Sequence, residues 1–178
     1  MKDIFGLEIY DHLCEVKLLA VDVDGVLTDG GLYYSDRGEV QRKFNVHDGL
    51  GLQMVMQAGI EVAIVTAKDS LSILARAKDL GITHVLTGVG DKLAAVQGLC
   101  QNLNIGLSEV AYMGDDLNDL TVMKSVGYPF APANAMDENT AVAYTTPKHG
   151  GDGAVREVCD LLLGAKSKIK ALHILHKG

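Results

Sequence analysis

The sequence predicts an α/β fold, a doubly wound parallel sheet covered by helices on both faces. Three observations carry this expectation. Short apolar, β-branched runs alternate with stretches of helical periodicity along most of the chain. The polar residues of greatest chemical interest stand directly after those runs, where parallel sheets place their ligand crevices. The chain has 178 residues, 48% hydrophobic and 22% charged, as in an ordinary globule with a full core. No internal repeat, low-complexity tract or linker interrupts it, so residues 1–178 read as one domain.

The elements follow in order. Residues 4–15 mix Ile4, Phe5, Leu7, Ile9, Leu13 and Cys14 with polar residues, the pattern of a short edge helix. The first strand spans about Lys17–Asp22. Gly31–Asn45 reads as a β-hairpin, with strand-like Leu32–Ser35 and Glu39–Asn45 around the turn chemistry of Asp36-Arg37-Gly38. It projects from the loop after Asp24, so it is placed to act as a flap. A helix opens at His47-Asp48-Gly49, with Asp48 as candidate N-cap, and runs to about Ala58. Glu61–Thr66 is the second core strand and Ser70–Leu80 a helix stopped by Gly81. A short strand at His84–Leu86, a helix at Asp91–Leu103 and a strand at Glu109–Met113 come next. Leu117–Ser125 reads as helical, Val126–Ala131 and Ala141–Tyr144 as short strands, and Gly153–Leu163 as the last helix. A tail from about 165 carries Lys166, Lys168, Lys170 and Lys177. This is a Rossmann-like arrangement with a hairpin added.

Composition narrows the partners. A net charge of −7 argues against non-specific nucleic-acid binding and against an anionic membrane surface. It leaves a phosphorylated small molecule open, because a site is local and a metal reverses its sign. The cysteines, Cys14, Cys100 and Cys159, are odd in number and form no C-x-x-C, so neither a disulfide framework nor a zinc site is indicated. The first 17 residues, acidic throughout, do not read as a signal peptide. No run approaches the roughly 18 apolar residues of a membrane span. A cytoplasmic protein is the default expectation.

The chemistry concentrates at Lys17–Gly30, KLLAVDVDGVLTDG. Asp22 and Asp24 follow a buried strand, and carboxylates there cost several kcal/mol to desolvate unless a cation or donors compensate. Residues two apart on a strand share a face, so the two acids are expected side by side, as a mutually repelling pair. The plainer alternative is a capping Asp next to a turn Asp. A second acidic group, Gly114–Asp119 (GDDLND), follows the apolar run Val110–Met113. A helix start explains one or two of its acids but hardly Asp115, Asp116 and Asp119 together. The two groups together supply oxygen ligands for a hard cation, Mg²⁺ best of all. Thr66 equally suits a turn cap, and Lys92 alone suits a solvated surface. With the acids, the four pieces fit one reaction. A carboxylate nucleophile attacks a phosphate dianion shielded by metal, hydroxyl and ammonium, and a second carboxyl exchanges a proton with the leaving alkoxide.

Asp22–Thr28 (DVDGVLT), Val65–Thr66, Lys92 and Gly114–Asp119 together resemble the four signature motifs of the haloacid dehalogenase superfamily of phosphatases. The resemblance covers about Lys17–Asp160. It implies Asp22 as nucleophile and Asp24 as general acid/base, with its carbonyl on the metal. It implies Asp22 and Asp115 as carboxylate ligands of Mg²⁺, Asp116 or Asp119 as metal support, and Thr66 and Lys92 as phosphate-binding catalytic residues. Many members carry a cap domain. The intervals Asp24–Thr66 and Thr66–Lys92 are too short to hold one, so this chain reads as uncapped.

FNVHDGLG (Phe44–Gly51), VGDK (Val89–Lys92) and GGDGAVREVCDLLL (Gly150–Leu163) resemble the uncapped group typified by 3-deoxy-D-manno-octulosonate 8-phosphate phosphatase. That likeness implies a sugar-acid phosphate as substrate, a role in lipopolysaccharide precursor synthesis, and a homotetramer whose sites neighbouring subunits close. It assigns substrate binding to Lys43, His47, Asp48, Gly49, Lys68 and Arg156. The same group includes phosphatases of nine-carbon sugar acid phosphates. Two positions depart from the family pattern. Ala67-Lys68 stands where Gly-Arg is usual, and His47 stands where Arg is usual. Lys68 keeps a charge but lacks arginine's planar fork. Two other classes share parts of the pattern: a receiver domain with a persistent phospho-aspartate, and a non-catalytic module of the same fold. Asp24 speaks against the first and the intact acid set against the second.

Overall fold

The computed structural model describes residues 12–38 and 40–175, with side chains described as far as residue 167. At its centre is β1 (Leu18–Val21), fully buried, with parallel neighbours on both sides: β4 (Glu61–Val65) and β6 (Val110–Met113). Outside them lie β5 (His84–Leu86), β7 (Tyr128–Ala131) and β8 (Tyr144–Thr145), giving a six-stranded parallel sheet in the order β5-β4-β1-β6-β7-β8. The run LLAV serves both faces because successive side chains alternate. Leu19 and Val21 join one core, Leu18 and Ala20 the other.

Helices cover both faces, as expected. The core of Leu19 and Val21 is closed by α1 (Val46–Gln57), α2 (Leu71–Leu80) and α6 (Ala154–Leu175). The opposite core is closed by α3 (Lys92–Leu103) and the single turn α4 (Leu120–Met123). A further turn, α5 (Asp137–Thr140), precedes β8. Between β1 and β4 lie only a small antiparallel hairpin, β2 (Tyr33–Tyr34) with β3 (Val40–Gln41), and α1. No cap domain is inserted among the described residues.

Several boundaries differ from expectation. β1 stops at Val21, and the chain turns at once: the Thr28 amide donates to the Val23 carbonyl at 3.0 Å, and Asp24 takes φ −74°, ψ 115°. Asp22 and Asp24 therefore do not share a strand face, and the expected side-by-side pair is absent. The hairpin strands are shorter than expected, because the chain leaves the ladder after Gln41 and Phe44 bridges back to Thr28. The expected helix Leu117–Ser125 is divided into a 3-10 turn, Leu117–Asp119, and α4. α6 runs on to Leu175 through Gly164, so the tail read as separate is largely helical. The expected helix over 4–15 lies mostly outside the described residues, and Leu13–Glu15 form a 3-10 turn. Among the described residues, no helix is long and apolar enough to cross a membrane.

Candidate active site

The parallel strands deliver their following residues to one edge of the sheet. Asp22 follows β1 directly and is 5% exposed. Lys92 opens α3 and is 3% exposed. Its ammonium donates to Asp22 Oδ2 at 2.9 Å and to Asp119 Oδ1 at 2.7 Å. Asp119 Oδ1 also accepts the Tyr112 hydroxyl at 2.6 Å. Asp119 Oδ2 accepts the amides of Asp115 at 3.3 Å and Asp116 at 3.4 Å. Asp119 is thus saturated by donors, and it aims Lys92 while holding the loop after β6. Asp115 sits in that loop, and its Oδ1 is buried with no hydrogen-bond partner. Oxygens of Asp22, Asp115 and Asp119 lie within 4.8 Å of one another.

Two buried acids and the half-buried Asp115 around one ammonium leave an excess of negative charge. Burial pushes Asp22 up to about 6, assisted by the Asp119 charge and opposed by Lys92. Burial pushes Asp115 up to about 7, with Asp22 and Asp119 adding to it. Burial works against the Lys92 charge, but Asp22 and Asp119 outweigh it and hold its pKa above the ordinary lysine value. The Tyr112 hydroxyl is driven well above its usual range by burial and by the Asp119 and Asp22 charges, so it stays a donor.

This donor set fits a hard divalent cation. The partnerless Asp115 Oδ1 and the unrelieved repulsion both call for positive charge, and carboxylate oxygens are the ligands such ions take. Gly25 keeps the place open, since a Cβ there would run into the Asp115 carboxylate. Asp22 and Asp115 have the oxygens to spare, and Asp119 supports from behind.

Other expected residues fall in varied places. Asp24 lies outside the acid cluster and is gripped by Arg42, Nε to Oδ1 at 2.6 Å and Nη2 to Oδ2 at 3.1 Å. Thr66 lies just past β4, which stops at Val65 rather than at Thr66 as expected; it is buried, and its hydroxyl accepts the Lys68 amide at 3.2 Å while keeping its own proton to donate. Asp116 is exposed and caps the turn through the Leu117 amide at 2.7 Å, so Asp119, not Asp116, joins the cluster. Asp48 does not cap α1 as expected. The cap of α1 is Asn45, whose side chain accepts the His47 amide at 2.8 Å. Asp48 is buried and accepts the amides of Gly153 at 3.3 Å and Arg156 at 2.8 Å, so it braces the start of α6. Gly49 is likewise buried, and its missing Cβ makes room for Arg76 and Leu80 of α2. Arg156 spends Nε on Asp160 at 2.8 Å, as a helix-surface pair. Lys43 is exposed and pairs with Asp29 at 3.0 Å. His47 and Lys68 are exposed.

Sequence reasoning missed four residues: Arg42, Tyr112, Gly25 and Asn139. Tyr112 read only as part of an apolar run. Asn139, from α5, donates Nδ2 to the Asp116 carbonyl at 2.8 Å, and the Met136 amide donates to the Asp115 carbonyl at 2.9 Å, so α5 steadies the acidic loop. Only Gly25 carried a local signal, as a glycine between the acids and the turn.

Residues 85–158 match the family model of haloacid dehalogenase-like hydrolases. The 3-deoxy-D-manno-octulosonate 8-phosphate phosphatase of Escherichia coli K12 is 46% identical over 155 residues, spanning 86% of this chain and 82% of that protein. The Yersinia pestis phosphatase of the same name is 42% identical over 164 residues, 92% and 88% of the two chains. The Moraxella catarrhalis phosphatase of that name, solved with magnesium, phosphate and KDO, superposes with a TM-score of 0.88 at 45% identity, covering 95% of this chain and 98% of that one. At these identities and coverages, the chain belongs to the haloacid dehalogenase-like hydrolases and is a phosphoric monoester hydrolase of that family.

Proposed function

We propose that the chain is a Mg²⁺-dependent phosphatase of a sugar-acid phosphate, 3-deoxy-D-manno-octulosonate 8-phosphate, working through an aspartyl-phosphate in lipopolysaccharide precursor synthesis. The observation that carries this reading is the Asp22–Lys92–Asp119–Asp115 cluster, with its partnerless Asp115 oxygen, in a chain 45% identical to a phosphatase solved with magnesium, phosphate and KDO.

Asp22 is the nucleophile. Its near burial strips water from the attacking carboxylate, and Lys92, already 2.9 Å away, meets the phosphoryl oxygens as the P–O bond forms. Thr66 donates its free hydroxyl proton to a second phosphoryl oxygen. Asp24 gives its proton to the departing alkoxide and later takes one from the water that hydrolyses the aspartyl-phosphate. Mg²⁺, held by Asp22 and Asp115 with the Asp24 carbonyl and backed by Asp119, would supply charge neutralisation when bound.

The exposed basic side chains His47, Lys68 and Lys43 are the candidates for the substrate's carboxylate and hydroxyls, with Arg156 at the start of α6. Closure of the site by neighbours in a cytoplasmic homotetramer is part of the reading. Exposed apolar side chains support it: Tyr33, Tyr34, Val46 and Leu71 are 56%, 69%, 73% and 83% exposed. Phosphate release from 3-deoxy-D-manno-octulosonate 8-phosphate, with Mg²⁺ and with EDTA, is the test. Turnover that needs Mg²⁺ and vanishes in Asp22→Asn is expected. Cleavage of a nine-carbon sugar acid phosphate alone would replace the substrate and keep the class. No Mg²⁺-dependent hydrolysis of any phosphate ester would overturn the reading.

A further inference from the structure

The Asp24 carboxylate is held by a residue from outside its own loop. Arg42 follows β3 of the hairpin, and its side chain is 3% exposed against 23% for Asp24. The guanidinium makes a two-pronged contact, 2.6 Å to Oδ1 and 3.1 Å to Oδ2, which fixes the plane of the carboxylate as well as its position. The third nitrogen continues the chain of contacts, donating to Ser70 Oγ at 2.9 Å and approaching Ser72 Oγ at 3.4 Å. Ser70 occupies the N-cap position of α2, yet its side chain makes no capping bond there. A favourable helix cap is forgone, and the hydroxyl is shared between Arg42 and the Ser72 hydroxyl, 3.0 Å away. Three segments thus meet at one guanidinium: the loop after β1, the hairpin, and the start of α2.

From this convergence we infer that Arg42 is a positioning residue, which orients Asp24 for proton exchange with the leaving group and makes that orientation depend on the docked hairpin. The inference rests on the reading of Asp24 as the proton carrier. With the guanidinium in place, the Asp24 side chain keeps 23% exposure, so the carboxyl stays open to a substrate. Lysine at the same position offers a point charge without the fork and fixes the plane less well.

The leaving group separates positioning from mere structure. An alkoxide must be protonated as the P–O bond breaks, and p-nitrophenolate needs no such help. kcat/KM reports the steps through formation of the aspartyl-phosphate, so it isolates the acid role. In Arg42→Gln, kcat/KM for 3-deoxy-D-manno-octulosonate 8-phosphate is expected to fall about tenfold or more, part of the roughly 10²–10⁴ that a proton donor contributes. kcat/KM for p-nitrophenyl phosphate should change by less than about threefold, with Arg42→Lys intermediate on the sugar substrate. Asp24→Asn should show the same asymmetry more strongly. Equal losses on both substrates in Arg42→Gln, or no loss on either, overturn the inference. Asp24→Asn asymmetric with Arg42→Gln symmetric removes Arg42 alone. Asp24→Asn symmetric removes the reading of Asp24, and this inference with it. Should Arg42→Gln fail to fold, Arg42→Lys and Ser70→Ala carry the test, each expected to show a smaller asymmetry in the same direction and overturning the inference by its absence.

Discussion

Gly25 adopts φ +89°, a region costly to any residue with a side chain, and the position a Cβ would take is filled by the Asp115 carboxylate. Both constraints arise from one need, to bring the turn after β1 against the loop after β6. Gly25→Ala is therefore expected to displace Asp115 and to abolish the rise in melting temperature that Mg²⁺ produces, as read by calorimetry with and without the ion. Lys92 answers to a different constraint. It is the cation shown compensating Asp22 and Asp119, all three nearly buried. Breaking a buried pair by removing one partner costs about 3–5 kcal/mol. Lys92→Met should lower unfolding free energy by about that amount in urea, and eliminate phosphate release. The loss should be smaller near about pH 5 than near about pH 8, because the orphaned carboxyls then take up protons and shed their charge.

At the level of elements, one helix caps another. Asp48 belongs to α1 but satisfies two of the first amides around α6, Gly153 and Arg156. Burial raises its pKa even against those two donors, so the carboxylate is kept there at some cost. Asp48→Ala should destabilise the protein by about 1–2 kcal/mol in the urea midpoint, and Asp48→Asn by less, because the amide oxygen still accepts. The sequence made Asp48 look like the cap of its own helix, since polar residues at a helix start are read locally. Its true partners lie 105 and 108 residues away, beyond the reach of any periodicity. The same holds for Arg42, whose side chain leaves the hairpin for Asp24 and Ser70, 18 and 28 positions distant. By contrast β1, β4, β6 and the helices between them were legible, because each is written in its own apolar period. α6 was cut short at Gly164, although a lone glycine costs a helix only about 1 kcal/mol and no proline follows.

At the scale of the molecule, the parallel sheet gathers acids that the sequence keeps about ninety residues apart, on the order expected when crossover units separate neighbouring strands. Asp22 and Asp115 were legible because a buried strand that ends in a carboxylate is anomalous wherever it occurs. Tyr112 and Asn139 were not, because a tyrosine in a strand and an asparagine in a turn are ordinary until the partner is seen. The gathering has a thermodynamic consequence. Native Asp22 and Asp115 hold protons up to about 6 and about 7, against 3.8 when free of these neighbours in the unfolded chain. Between those limits the native state binds more protons than the unfolded one, so their contribution to stability is fully present below the unfolded value and is lost as pH rises through 6 and 7. Exposed pairs such as Lys43–Asp29 and Lys17–Glu109 shift their acids downward and oppose this trend. Comparing Mg²⁺ with EDTA at each pH cancels them, because they lie outside the acid cluster. On the proposed reading, the cation competes with protons for Asp22 and Asp115. The rise in melting temperature on adding Mg²⁺ should therefore be small near pH 4–5, grow through about 6–7 and level off above, and Asp115→Asn should flatten the curve. A Mg²⁺ effect that is constant across this range would mean that these two carboxyls do not hold the ion.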